Sequence, residues 1–142
     1  RLDVRRIGAI KAGDNVIAAK FLTPRRWDLV VYKDAASGRT YLKRLVGLSG
    51  EEVAIHDGDV WINGARMPKP MEISRLRYLG RPGGDESEPF GPVKLGVNEV
   101  FLLGDFPRIS NDSRRTGGIP RDSVFGVVTH LCWPLSRWHV FR

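Results

Sequence analysis

The chain is punctuated into short apolar runs bounded by turn residues, and that spacing constrains its fold more than any other feature. The runs are Asn15 to Phe21, Asp28 to Lys33, Thr40 to Gly47, Glu52 to His56, Asp59 to Ile62, Glu99 to Leu103 and Val124 to Leu131. They are short and strand-like, several alternate apolar with polar residues, and no stretch holds a long helical period. The expected fold is mostly β, of barrel or sandwich type. Within "EVAIHDGDVWING", Asp57-Gly58 is the expected hairpin turn between Val53/Ile55 and Val60/Ile62. At 142 residues the chain is expected to form one domain, residues 1–142, with enough core to dispense with disulfides or metal. Residues 67–94, "MPKPMEISRLRYLGRPGGDESEPFGPVK", lose the pattern to Pro, Gly and charge. They read as a loop-rich insertion, because too little chain follows to make a second core.

The strand "YLKRLVG", Tyr41 to Gly47, carries two cations in its middle. Alternation puts Tyr41, Lys43 and Leu45 on one face and Leu42, Arg44 and Val46 on the other. Both faces are mostly apolar, so at least one cation is expected to point into a core. A lysine in an apolar site loses basicity, because desolvation disfavours the ammonium, and the neutral amine can then act as a general base. Arginine cannot do this. Lys43 inward and Arg44 outward is the pairing that makes chemical sense; a strand-edge Lys43 reaching out to water is the competing reading.

Composition narrows the partners. The 23 Lys and Arg against 16 Asp and Glu give a formal net charge of +7, which favours anionic surfaces. The cations lie in scattered pairs without interleaved aromatics, and no helix-turn-helix or RNA-binding signature accompanies them, so nucleic acid is not an expected partner. No apolar run reaches the roughly 18 residues needed to span a bilayer as a helix. The sequence opens at Arg1 without Met, as a piece of a longer protein does. Cys132 is alone, within the apolar run Val127 to Trp133, where a small buried hydrophobe is expected. His56, His130 and His139 fall in separate segments with no Cys or carboxylate at ligand spacing, so neither a metal nor a cofactor is expected.

A second stretch, "LLGDFPRISNDSRRTGGIP" (Leu102 to Pro120), gathers Asp105, Ser110, Asp112, Ser113 and Arg114 in a loop after a strand. Judged alone, Asp112-Ser113-Arg114 is a hydrogen-bonded turn with a surface ion pair. Taken with the first stretch it is more specific. Lys43, Arg44, Gly47 and Gly50, followed about sixty residues later by Gly104, Asp105, Ser110, Asp112, Ser113 and Arg114, resemble the Lys-Arg-x-x-Gly-x-x-Gly strand and Gly-Asp-x-x-x-x-Ser-x-Asp-Ser-Arg loop of type I signal peptidases, the Ser-Lys proteases of family S26. "RRWDLVVYK" (Arg25 to Lys33) is similar to that family's Arg-Gly-Asp-x-x-x-Phe strand, and "IKAGDNVIAAKF" (Ile10 to Phe21) to the strand after its nucleophile.

The resemblance implies a mostly β signal-peptidase-like catalytic domain with an apolar groove for a signal peptide or other extended peptide. It also implies docking on an anionic membrane surface, on the extracytoplasmic side, with anchoring through an upstream segment. Lys43 would be the general base, Ser110 the hydroxyl bonded to its amine, and Asp112 with Arg114 a supporting ion pair. Arg44, Gly104, Asp105 and Ser113 would give structural support.

Two positions depart from the pattern. The family's nucleophile lies in a Ser-Met-x-Pro-Thr motif before a Gly-Asp matched here by Gly13-Asp14; counting back eight positions from Gly13 lands on Arg5, and "RLDVRRIGAIKA" holds no Ser, Thr or Cys. Phe106 stands where the family usually has Asn. Three readings follow: a signal-peptidase-type endopeptidase domain, a non-catalytic relative that binds an extended peptide by strand addition, and a self-cleaving Ser-Lys repressor domain, which lacks its Ala-Gly or Cys-Gly linker here. Ser110 or Ser113 as nucleophile would further require backbone donors for an oxyanion.

Overall fold

The computed structural model of the chain describes residues 13–141. Their strands, in chain order, are β1 (Asn15–Ala19), β2 (Leu29–Lys33), β3 (Thr40–Gly47), β4 (Glu52–His56), β5 (Asp59–Ile62), β6 (Ala65–Arg66), β7 (Phe90–Lys94), β8 (Glu99–Leu103), β9 (Ile119–Pro120), β10 (Val124–Trp133) and β11 (His139–Val140), with one short helix, α1 (Ser113–Thr116). One antiparallel sheet runs β1-β10-β2-β3-β8-β9, with β11 also on β10; the other runs β6-β5-β4-β7.

The register explains the core. Val30 lies opposite Lys43 and Tyr32 opposite Tyr41 across β2 and β3, so one face of the large sheet collects Val30, Tyr32 and Leu45 with Val100 and Leu102. The opposite face carries Val46, Phe101 and Leu103 onto the small sheet, whose β4–β5 hairpin sends in Val53, Ile55, Val60 and Ile62. That hairpin turns at Asp57 and Gly58, both at positive φ (56° and 79°), as a tight type I′ connection requires.

Covering both faces of β3 corrects the expectation that Arg44 points outward. Its side chain is among the most deeply buried in the described chain, at 1% exposure, whereas Lys43 is half-buried. Alternation tells which residues share a face but not that a second sheet closes the other. The segment 67–94 is mostly irregular, with one 3-10 turn at Met71–Ile73. It ends in strand β7, paired with β4, and buries Ile73, Tyr78 and Leu79. Gly91 and Pro92 break the apolar alternation of β7, and Pro92 is tolerated because β7 is an edge strand. Cys132, expected in the core, is only half-buried, next to the exposed Trp133.

Candidate active site

Strand β3 delivers Lys43 and the loop after β8 delivers Ser110. The Lys43 amine donates to Ser110 Oγ at 2.9 Å. The approach depends on Gly104, since a Cβ there would fall on the Ser110 hydroxyl and within 3.3 Å of the Lys43 Nζ. Beside the pair opens a cavity of about 400 Å³ walled by Leu29, Tyr32, Tyr41, Leu42 and Ile109. Burial holds the Lys43 amine below the usual lysine range; Asp112 pulls the other way and Arg114 partly cancels that pull.

The loop is fixed by two buried ion pairs. Arg44 donates from Nε and Nη2 to the two Asp105 oxygens at 3.0 and 2.7 Å, and from Nη1 to the Trp27 carbonyl at 3.0 Å. Burial alone would lower the basicity of Arg44, but the Asp105 bonds outweigh it and raise it. Arg114 grips Asp112 with Nε at 2.8 Å and Nη2 at 2.7 Å, and both side chains are wholly buried, so the pair is not the surface ion pair of the isolated turn. Asp112 also caps α1 by accepting the Arg114 backbone N–H, and accepts the Gly104 N–H at 3.0 Å. It thereby ties the end of β8 to the start of the helix.

Ser113, also buried, accepts the Leu102 N–H at 3.0 Å, a second stitch between loop and strand. Its hydroxyl is engaged there and does not line the Lys43 cavity. The Phe106 side chain is exposed, and its carbonyl accepts from Ile109 and Ser110, so the turn closes through backbone without an asparagine. Trp27 sits at positive φ (72°), in the place of the Gly of the Arg-Gly-Asp motif that this strand resembles, and stacks on Tyr78. That conformation costs a residue with a Cβ about 1–2 kcal/mol. Sequence reasoning missed both aromatics, and the Gly-to-Trp replacement was the available signal for Trp27.

Among the described residues no group of three or more His, Cys, Asp or Glu is placed to hold a metal. The expected nucleophile position falls in residues 1–12, outside the described residues. Just after them, Arg137 binds Asp14 through two bonds, at 3.0 and 2.9 Å.

Asp112 makes stability pH-dependent in a definite sense. Burial raises its pKa, but the bonds from Arg114 and Gly104 outweigh that and hold it below the free value of 3.8. The folded state thus favours the carboxylate. The gain is present above the unfolded value and is lost as pH falls through the folded one. In urea melts the wild-type chain is expected to lose stability between neutral pH and about pH 3, and Asp112→Asn, weaker at neutral pH, to lose less over that interval. Parallel losses would remove Asp112 from the acid response.

Known proteins share sequence similarity and fold with this chain. The family model described as signal peptidase, peptidase S26, matches residues 8–133. A probable signal peptidase I-2 from Synechocystis is 30% identical over 127 residues, covering 85% of this chain and 54% of that protein. Signal peptidase I T of Bacillus subtilis is 31% identical over 113 residues, covering 79% and 58%. The chain therefore spans just over half the length of these curated relatives. The crystal structure of a signal peptidase I from Enterococcus faecalis superposes with a TM-score of 0.61 at 27% identity, covering 76% of this chain and 98% of that one.

Proposed function

The chain belongs to the signal peptidase family S26, and from that premise we propose that it is the catalytic-type domain of a serine endopeptidase that removes signal peptides, with Lys43 as general base and Ser110 as the hydroxyl that orients it. The observation that carries this reading is the 2.9 Å bond between a desolvated lysine amine and a buried serine hydroxyl, beside a cavity lined by both apolar and polar side chains. A neutral amine has one lone pair. Donating an N–H to Ser110 turns that lone pair toward the cavity, where it can take the proton of an attacking hydroxyl.

The test is competitive acetylation of amines across pH, read peptide by peptide. Lys43 is expected to react with a midpoint below the solvent-lysine value, and a peptide with Ala-x-Ala before the scissile bond is expected to slow the reaction. A Lys43 that titrates like exposed lysines and is indifferent to the peptide sinks the assignment. A second reading has its own support: residues 1–12 hold no Ser, Thr or Cys. In it the same groove binds an extended peptide without cutting it.

We further propose that the domain works on the extracytoplasmic side of a membrane, docked on anionic lipid. No helix among the described residues is long and apolar enough to cross a bilayer. Ile17, Phe21, Trp133 and Leu135 are each more than half exposed, on β1, β10 and the segments that follow them, and the net charge is +7. Apolar side chains with an indole at the rim suit the lipid interface. Sedimentation with phosphatidylglycerol vesicles is expected to exceed that with phosphatidylcholine and to weaken with salt. Leu135→Glu should reduce it by about fivefold, roughly 1 kcal/mol. Equal binding to both vesicles would remove the electrostatic part.

A further inference from the structure

Residues 67–80 form a strap between the hairpin turn and the active-site loop. At one end Lys69, whose side chain is 8% exposed, donates to the Gly58 carbonyl (3.1 Å), Asp59 Oδ1 (2.7 Å) and the Leu76 carbonyl (2.7 Å). An ammonium has three N–H donors, so these acceptors satisfy it fully. The Tyr78 N–H donates to the same Gly58 carbonyl. At the other end the Leu79 carbonyl accepts from Arg114 Nη1 at 3.1 Å. Between the ends, the buried Tyr78 ring stacks on Trp27, whose carbonyl takes the Arg44 bond.

The Leu79 contact matters because Arg114 is wholly buried and spends its Nε and Nη2 on Asp112. Nη1 needs an acceptor, since a buried guanidinium donor left without one is costly. Leu79 supplies it from outside the loop. Were the strap to move, the guanidinium would have to follow it or lose a bond. Either change loosens Asp112, which holds the Gly104 N–H beneath Ser110.

We propose that the strap is part of the catalytic apparatus: Lys69 locks it to the hairpin turn, and its Leu79 carbonyl fixes the Arg114 guanidinium on which the alignment of Lys43 with Ser110 depends. Lys69 and Leu79 are thus positioning residues that touch neither the substrate nor the reacting atoms. The inference rests on the reading of Lys43 as the base. It also gives the 67–94 segment a task.

The groups facing the Lys43 amine are Asp112, Arg114 and Asp105 from the loop and Tyr41 on its own strand, with Tyr32 on β2 and Asp34 just after it lining the same cavity. Loss of Arg114 from its place removes a charge that lowers the Lys43 pKa, leaves the pull of Asp112 unopposed and admits water. All three effects push the amine upward. The experiment compares the acetylation midpoint of Lys43 in wild type, Lys69→Met, Lys69→Arg and Tyr78→Phe, with folding followed by circular dichroism. Lys69→Met keeps the length and removes every donor; Lys69→Arg keeps the charge but not the three-point fit. Folded Lys69→Met is expected to raise the midpoint by about half a unit or more, with Lys69→Arg between it and wild type.

Tyr78→Phe removes a buried hydroxyl that has no hydrogen-bond partner among the described residues, and is expected to leave the midpoint in place. Folded Lys69 variants with the wild-type midpoint overturn the proposal, as does failure of both to fold, which would make the strap a requirement for folding alone. A wild-type midpoint at the solvent-lysine value overturns the base assignment instead.

Discussion

Arg114→Ala is expected to destabilise the domain by about 3–5 kcal/mol, whereas Arg115→Ala next to it stays within about 0.5 kcal/mol of wild type. The two arginines differ by one position in the same four-residue helix, so helix propensity and net charge change equally in both variants. What differs is burial. Arg114 is wholly buried with Asp112, while Arg115 is exposed. Removing Arg114 leaves a buried carboxylate without its cation and the Leu79 carbonyl without its donor. At roughly 3 °C per kcal/mol for a domain of this size, the melting temperature should fall by on the order of 10 °C. Equal melting temperatures for the two variants would show that the pair contributes no net stability and that the loop is held in another way.

The large elements were legible because their signals are local. Thr40 to Gly47, Glu52 to His56, Asp59 to Ile62 and Glu99 to Leu103 match β3, β4, β5 and β8 end to end, since alternation and flanking turn residues act within a few positions. Strand β7 was not, because its edge position admits a proline that interrupts the alternation. The burial of Arg44 depends on Asp105, 61 positions away, and on a second sheet that strand alternation does not reveal. The juxtaposition of Lys43 with Ser110, 67 positions apart, came from the resemblance and not from periodicity. The Leu79 contact had no signal at all. It is a backbone carbonyl, which every residue carries, and only the path of the strap makes that one matter.

The chain Arg1 to Arg142 is expected to leave a signal-peptide substrate with Ala-x-Ala before the scissile bond uncut, to near background, in detergent. Residues 1–12 contain no hydroxyl or thiol, so within this chain the Lys43 lone pair has only water to activate from that side. A tethered, aligned nucleophile can contribute about 7–11 kcal/mol toward the barrier through proximity and orientation, and free water forfeits most of it. Ser110 is the hydroxyl already in reach, and two features argue against it. Its side chain is buried at 8% exposure above Gly104, where a scissile carbonyl must come within about 3.5 Å. Its own N–H is engaged by the Phe106 carbonyl at 3.0 Å, so the donor that an oxyanion would need next to the nucleophile is already used. The assay compares the chain with Lys43→Ala and Ser110→Ala. Turnover that either substitution abolishes would overturn the expectation and point to Ser110, or another hydroxyl of this chain, as the nucleophile; the same background in all three leaves Lys43 a base whose hydroxyl must come from elsewhere.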